Sequence, residues 1–328
     1  MTAAPTPITA PIDRLQANLD RELGFVVRAW LENPSTEDIA LNADGQLWVK
    51  CEGKPWDLAG AMPPSQAASL LGVVAAMSGT IVNADAPILE TELPGYGARF
   101  EGLRFPVVKS PIFSIRKIAG RLHTLEEYTA KEILSERHAG ILADGIAGRK
   151  NIVVAGGTGS GKTTLLNGLI HKMTELCPDD RPALIEDNLE LRCAAPNSVS
   201  LLARDRVTIL DCLKACLRLR PDRIIVGEVR GGEALTLLKA LGTGQPGGLA
   251  TVHASSAMGA LTRLERLAAE ADGAPRLRGL RELIGETVQL VVFVAAERDT
   301  RRYPAGRRVQ EILAVDGFVK GRYKMEVL

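Results

Sequence analysis

The stretch Gly156-Gly157-Thr158-Gly159-Ser160-Gly161-Lys162-Thr163 fits a phosphate-binding loop at every position, and both of its flanks suit one. Before it, Asn151-Ile152-Val153-Val154-Ala155 is an apolar run that reads as a buried strand. After it, Thr164-Leu165-Leu166-Asn167-Gly168-Leu169-Ile170 has the spacing of an amphipathic helix. Strand, glycine-rich turn and helix in that order imply a bound nucleoside triphosphate rather than a flexible turn. Glycines at 156, 157, 159 and 161 allow positive φ and bring backbone N–H groups close to phosphate oxygens. The first turn of the helix adds unpaired N–H groups and the positive end of its dipole. Gly157, Thr158, Gly159, Ser160, Gly161, Lys162, Thr163 and Thr164 are the nucleotide-binding candidates. Lys162 would reach the β- and γ-phosphates, and the Thr163 hydroxyl would ligate Mg²⁺.

Working outward, 328 residues exceed what one compact core usually organises, so two domains are expected. A hydrophobic fraction of 46% with 24% charged residues is that of an ordinary globular chain. Lys plus Arg number 40 against 39 Asp plus Glu, which gives no global electrostatic reason for nucleic-acid binding. No uncharged apolar stretch of about eighteen residues is present, and the start at Met1 lacks the features of a signal peptide, so a cytoplasmic location is expected. The five cysteines are scattered and suit reduced thiols. Cys212 and Cys216 lie one helical turn apart; buried thiols are favoured over a zinc site, because no second Cys or His pair has suitable spacing.

Residues 1–11, with prolines among small polar residues, are expected to form a mobile tail. From Pro11 to about Asn33 the apolar spacing predicts a helix, and residues 39–49 predict two strands around the Asp44-Gly45 turn. A helix over 66–78 and strands over 98–103 and 112–117 complete a smaller α+β domain, 12–118. A linker or hinge over 119–125 follows, and 126–146 reads as helical. Strands near 151–155, 182–186, 223–227 and 249–252 alternate with helices, which implies an α/β fold over 126–328 with a mainly parallel twisted sheet.

Arg223-Ile224-Ile225-Val226-Gly227-Glu228 ends a buried strand on a carboxylate at the edge where open α/β sheets bind ligands. Glu228 there would orient or deprotonate an attacking water, a role worth ~10²–10⁴ in rate; the alternative is a cap or an ion pair with a neighbouring arginine. Leu184-Ile185-Glu186-Asp187-Asn188-Leu189-Glu190 also follows a strand. Glu186, Asp187 or Glu190 would hold Mg²⁺ through water, against the alternative of a solvated acidic turn. His253, ending Leu249-Ala250-Thr251-Val252-His253, reads as a γ-phosphate contact or as a packing residue.

The order of phosphate loop, Ile185-Glu186-Asp187, Val226-Gly227-Glu228-Val229-Arg230 and Thr251-Val252-His253-Ala254 resembles the secretion traffic ATPases of type II and type IV secretion and type IV pili. Within them, Leu217-Arg218-Leu219-Arg220-Pro221-Asp222, Cys193-Ala194-Ala195-Pro196-Asn197 and Gly242-Thr243-Gly244-Gln245-Pro246-Gly247-Gly248 resemble the TrbB-type ATPases of conjugative transfer. The resemblance covers roughly residues 12–315. It implies a RecA-like ATPase domain behind the smaller N-terminal domain, ATP and Mg²⁺ as ligands, and a homohexameric ring. That ring would lie peripherally at the inner face of the cytoplasmic membrane, with inner-membrane secretion or pilus components as partners. Arg99-Phe100-Glu101-Gly102 and Pro111-Ile112-Phe113-Ser114-Ile115-Arg116-Lys117 resemble the family segment whose two arginines approach the triphosphate. Arg99 and Arg116 are therefore charge-stabilising candidates alongside Lys162, Glu228 and His253, with Thr163 and Glu186 as metal candidates. Gly227 occupies the usual Walker B aspartate position, as is typical of the family, and Asn188 replaces an expected threonine. No tetracysteine zinc motif is present, which favours the conjugation or type IV branch. The alternatives are a tight-adherence or type IV pilus ATPase, a RecA-like nucleic-acid translocase, and a non-catalytic scaffold.

Overall fold

The computed structural model describes residues 10–117, 122–204, 206–274, 277–297, 299 and 301–328. The chain divides into two compact units, Met1–Arg121 and Leu122–Leu328. Residues 1–9 of the expected tail and 119–121 of the expected hinge lie outside the described residues. Ala10 and Pro11 open a helix instead of belonging to the tail.

In the first unit α1 (Ala10–Glu32) and α2 (Pro64–Met77) cover one face of a sheet. Its strands are β1 (Thr36–Leu41), β2 (Gln46–Cys51), β3 (Trp56–Ala61), β4 (Ile88–Leu93), β5 (Ala98–Leu103) and β6 (Ile112–Lys117). The six strands run in the order β3-β2-β1-β6-β5-β4, and every pairing is antiparallel. The Asp44-Gly45 turn joins β1 to β2 because Gly45 takes φ 81° and Asp44 Oδ1 accepts the Gln46 N–H at 2.9 Å. The helix expected over 11–33 is interrupted: Gly24, at φ 72° and ψ 172°, kinks α1. The core joins Leu19, Leu23 and Val27 of α1, Leu70, Leu71 and Val74 of α2, and Ile39, Phe100 and Ile115 of the sheet. Each such side chain taken from water stabilises the unit by about 1.5–3 kcal/mol. Helix and sheet meet so closely at Gly102 that a Cβ there would lie 2.9 Å from Leu71 Cγ. Strands β3 and β4 were not anticipated.

In the second unit the helices are α3 (Leu125–Ala130), α4 (Glu136–Ala147), α5 (Lys162–Leu176), α6 (Ile209–Cys216), α7 (Glu233–Thr243), α8 (Ala257–Ala269) and α9 (Leu277–Thr287). The strands are β7 (Ile152–Gly156), β8 (Pro182–Glu186), β9 (Val199–Leu202), β10 (Arg223–Val226), β11 (Leu249–His253), β12 (Leu290–Ala296), β13 (Arg307–Val319) and β14 (Arg322–Val327). They form an eight-stranded sheet in the order β14-β13-β12-β7-β11-β10-β8-β9. Strands β12 to β9 in that order are parallel neighbours, whereas β13 and β14 join antiparallel, so the sheet is mixed. The alternation of β7 divides the interior: Val153 and Ala155 face α6, α7, α8 and α9, while Ile152 and Val154 face α3, α4 and α5. Helices on both faces of parallel strands are the α/β solution that near-continuous apolar strands require.

Residues 126–146 are not one helix. Glu132 takes φ 55°, and Ser135 Oγ accepts the His138 N–H at 3.1 Å to begin α4 afresh. Cys212 and Cys216 are buried on α6, and burial pushes the Cys216 thiol up to about 11, so it is protonated at neutral pH. At the amino ends of the strands lies a fully buried guanidinium. Arg223 Nε donates to Asp180 Oδ2 at 2.5 Å and Nη2 to Ile146 O at 3.0 Å, and Nη1 lies 3.3 Å from Gly247 O. Arg149 pairs with the other oxygen of Asp180. At the same edge Asn151 Nδ2 donates to Thr287 O at 2.8 Å and Asn151 Oδ1 accepts the Gly248 N–H at 2.8 Å.

Candidate functional site

Parallel strands deliver whatever follows them to one edge of a sheet. Here β7, β11, β10 and β8 are consecutive neighbours. At their carboxyl ends stand the phosphate loop, His253, Glu228, and the Glu186-Asp187 pair. In register, His253 lies beside Gly156 and Val226 lies beside both Ala250 and Ile185.

The loop has the geometry that phosphate requires. Gly159 and Gly161 take φ 71° and 92°. Gly161 is the N-cap of α5 and supplies no side-chain cap, so the first amides of the helix are left for a ligand. A Cβ at Gly156 would lie 2.4 Å from both Ser160 Oγ and Val294 O, which fixes that position as glycine. Ser160 Oγ is buried without a hydrogen-bond partner. Lys162 is buried, and its Nζ spans the loop to donate to Gly157 O at 2.9 Å. Burial, reinforced by Arg230, holds the Lys162 ammonium below its ordinary pKa. Thr163 and Thr164 follow in the first turn of α5.

From Lys162 a polar chain crosses the sheet edge. Lys162 Nζ lies 3.4 Å from His253 Nδ1, and His253 Nε2 lies 3.0 Å from Glu228 Oε1. One tautomer satisfies both contacts: neutral imidazole with its proton on Nε2 donates to Glu228 and presents Nδ1 to the ammonium. Burial and the Lys162 charge lower the His253 pKa, which favours that neutral ring. Arg230 Nη2 donates to Glu228 Oε2 at 3.0 Å, and Arg230 Nη1 pairs with Asp187 Oδ2. The hydrogen bond that Arg230 donates to Glu228 is the main cause that raises the Arg230 pKa. Glu233 Oε1 accepts the N–H of Arg230 at 2.7 Å and of Gly231 at 2.9 Å, which fixes the turn that carries the guanidinium.

Lys162, His253 and Glu228 are thus brought together, and the arginine partner weighed for Glu228 is Arg230. Asp187 reaches this chain through Arg230. Glu186 is differently placed. Its buried Oε2 accepts the N–H groups of Glu190 at 2.7 Å and Leu191 at 2.9 Å, which pins the acidic turn, and burial raises its pKa. Gly227 sits tightly between strands: its N–H donates to Ile185 O at 2.8 Å, and its carbonyl accepts the Thr251 hydroxyl at 2.6 Å. A Cβ there would meet Glu186 Cβ at 3.1 Å. Among the described residues no group of three or more His, Cys, Asp or Glu side chains could hold a metal unaided. A Mg²⁺ ion at such a site would draw its remaining oxygens from phosphate and water.

Arg99 and Arg116 belong to the first unit, as direct neighbours across β5 and β6. The cross-strand row continues on either side, Glu92 opposite Arg99 and Asp38 opposite Arg116. Arg116 Nε donates to Asp38 Oδ1 at 2.7 Å. Like charges directly opposite repel, and the flanking carboxylates offset that repulsion.

The contact between Arg230 and Asp187 was not anticipated in the sequence, where Asp187 was weighed only as a metal candidate and a neighbouring arginine only as a partner of Glu228. Its signal was the pair of acidic residues flanking Arg230, at 228 and 233, which only the adjacency of β8 and β10 connects to Asp187.

The family described as Type II/IV secretion system protein matches residues 88–308. The Probable conjugal transfer protein TrbB of Sinorhizobium fredii is 44% identical over 95% of this chain and 93% of its own. The Conjugal transfer protein TrbB of Rhizobium radiobacter is 43% identical over 95% and 94%. Among solved structures, the Legionella pneumophila ATPase DotB has a similar fold, with a TM-score of 0.61 and 20% identity over 96% of this chain and 83% of that one. With that family match and those identities, the chain belongs to the type II/IV secretion system protein family and is a homologue of the TrbB conjugal transfer proteins.

Proposed function

We propose that this chain is an ATP hydrolase that drives conjugative type IV secretion, in pilus assembly or substrate transfer. The observation that carries the enzymatic reading is the chain of contacts from Lys162 through His253 to Glu228, at the sheet edge that holds the phosphate loop. The loop amides of Gly157, Thr158, Gly159, Ser160 and Gly161, with those of Lys162, Thr163 and Thr164, hold the phosphates. Lys162 turns from the Gly157 carbonyl to the β- and γ-oxygens. Glu228 orients the attacking water and accepts its proton, and His253, released by Lys162, turns its Nε2–H from Glu228 to a γ-phosphate oxygen. Mg²⁺, held by the Thr163 hydroxyl and through water by Glu186, would neutralise charge on the β- and γ-phosphate oxygens. Arg99 and Arg116 serve as charge stabilisers, a role worth ~10³–10⁵ in rate where arginine fingers act.

The eight-stranded sheet, with its parallel centre and phosphate loop, supports a RecA-like ATPase domain over 126–328, and the six-stranded unit supports a separate N-terminal domain. The conjugal transfer names of the TrbB relatives support the secretion role. The working assembly is a homohexamer, peripheral at the inner face of the cytoplasmic membrane and docked on inner-membrane components. Among the described residues no helix is long and apolar enough to cross a membrane.

Glu228→Gln tests the reading. The variant should bind a non-hydrolysable ATP analogue like the parent and release phosphate ~10²–10⁴-fold more slowly. Turnover within threefold of the parent rules out Glu228 as the water-activating group, and complementation of transfer by the variant favours a scaffold. Sedimentation with the analogue tests the ring; a monomer at every concentration excludes it.

A further inference from the structure

The segment Arg301-Arg302-Tyr303-Pro304-Ala305-Gly306-Arg307-Arg308 carries four arginines in eight residues and was assigned no role by the sequence motifs. It lies where β12 turns back into β13, with Ala296 opposite Arg307. Because β12 runs parallel beside β7, this turn leaves the sheet at the edge that carries the phosphate loop. Successive residues of a strand point to opposite faces, so Arg307 and Arg308 diverge. Arg308 stacks on Tyr303 at 5.2 Å and donates to its hydroxyl at 2.7 Å, and Arg302 stacks on the same ring at 5.3 Å. Arg307 instead lies against the phosphate loop. A Cβ built on Gly161 would stand 2.9 Å from Arg307 Nη1 and 3.2 Å from its Cδ.

Gly161 is the N-cap of α5, and the amides after it are the phosphate donors of the proposed ATP site. The helix dipole disfavours a cation at that end and favours an anion. Arg307 and Lys162 both approach it, so two cationic side chains stand at the end of the helix that binds anions. A planar guanidinium offers a fork of donors matched to phosphate oxygens. We infer that Arg307 is a further nucleotide-binding residue, whose guanidinium holds the β-phosphate of the nucleotide seated on the loop of its own subunit. The inference rests on the ATP-binding reading above. Because the β-phosphate is common to ATP and ADP, Arg307 strengthens the binding of both and leaves the bond-breaking step to Glu228.

The test is calorimetric titration of the full chain with ADP and with a non-hydrolysable ATP analogue, for the parent, Arg307→Ala, Arg307→Lys and Arg308→Ala. Arg307→Ala should weaken both ligands about 10–100-fold, as expected for loss of a charge-assisted bond. In turnover it should raise KM by a similar factor and leave kcat within about twofold. Arg307→Lys, which keeps the charge and loses the fork, should fall between, and Arg308→Ala should bind as the parent does. A melting transition like that of the parent identifies the effect as local. Parental affinity in Arg307→Ala overturns the inference and leaves the ATP reading standing; if the parent chain binds neither ligand, the two fall together.

Discussion

Replacing Gly227 by aspartate, the residue that many phosphate-loop enzymes carry there, should harm this protein. The backbone allows a side chain, since Gly227 is not among the residues with positive φ. Space is the first obstacle: a Cβ at 227 meets Glu186 Cβ at 3.1 Å, so Gly227→Ala should cost about 1 kcal/mol of overpacking. Charge is the second. Two carboxylates on such neighbouring carbons lie ~4–5 Å apart, where repulsion at an effective dielectric of ~20 is about 3–4 kcal/mol. Glu186 is buried and its pKa is already raised, so a second carboxylate should raise it further. A raised carboxylate pKa gives stability below the ordinary value of 4.5 that is lost as pH climbs through the raised one. Gly227→Asp should therefore be about 2–4 kcal/mol less stable than Gly227→Ala at pH ~7, and within about 1 kcal/mol of it at pH ~4. Urea unfolding measures this. Trp30, Trp48 and Trp56 all lie in the first unit, so the second must be followed by circular dichroism. Equal midpoints for the two variants at neutral pH would refute the crowding of Glu186.

His253 should titrate below 6.5 by NMR; Lys162→Met should move it up by removing a cation, and Glu228→Gln should move it down by removing an anion. Movement of either in the opposite direction would break the proposed tautomer. Arg223→Met leaves Asp180 with Arg149 alone and should cost about 3 kcal/mol, a fall of ~6–12 °C in the melting of the second unit. Glu126, held by Lys172 at about 2, should return toward 4.5 in Lys172→Met. Because that carboxylate is mostly exposed, its stabilisation, lost as pH falls through about 2, should be small.

The parallel centre of the second sheet was legible because each of its inner strands is an apolar run that leads into a motif at the ligand edge. The antiparallel margin was not. Leu290–Ala296 is as apolar as β7, but no motif follows it, and β13 is broken in register between Val315 and Phe318 of its pairing with β14. Strand β3 is mostly exposed, with pattern-weakening Gly60, so its alternation carries little signal. The break after α3 was written in Ser135, a capping residue that the apolar spacing of 126–146 overrode. At the site, residue types gave Lys162, Glu228 and His253, while Arg230 and Arg307 depend on contacts between strands far apart in sequence.

Arg223 also sets a mechanical asymmetry. One guanidinium fastens the tails of α4 and α5 and the approaches to β8 and β11, and Asn151 stitches β7 and β11 beside it. The opposite margin is joined by Lys162, His253, Glu228 and Arg230, the side chains of the proposed phosphate site. On the proposed function, arrival of that phosphate would break these contacts and its loss would restore them, so the cycle would re-pair one rim of a plate that stays clamped along the other.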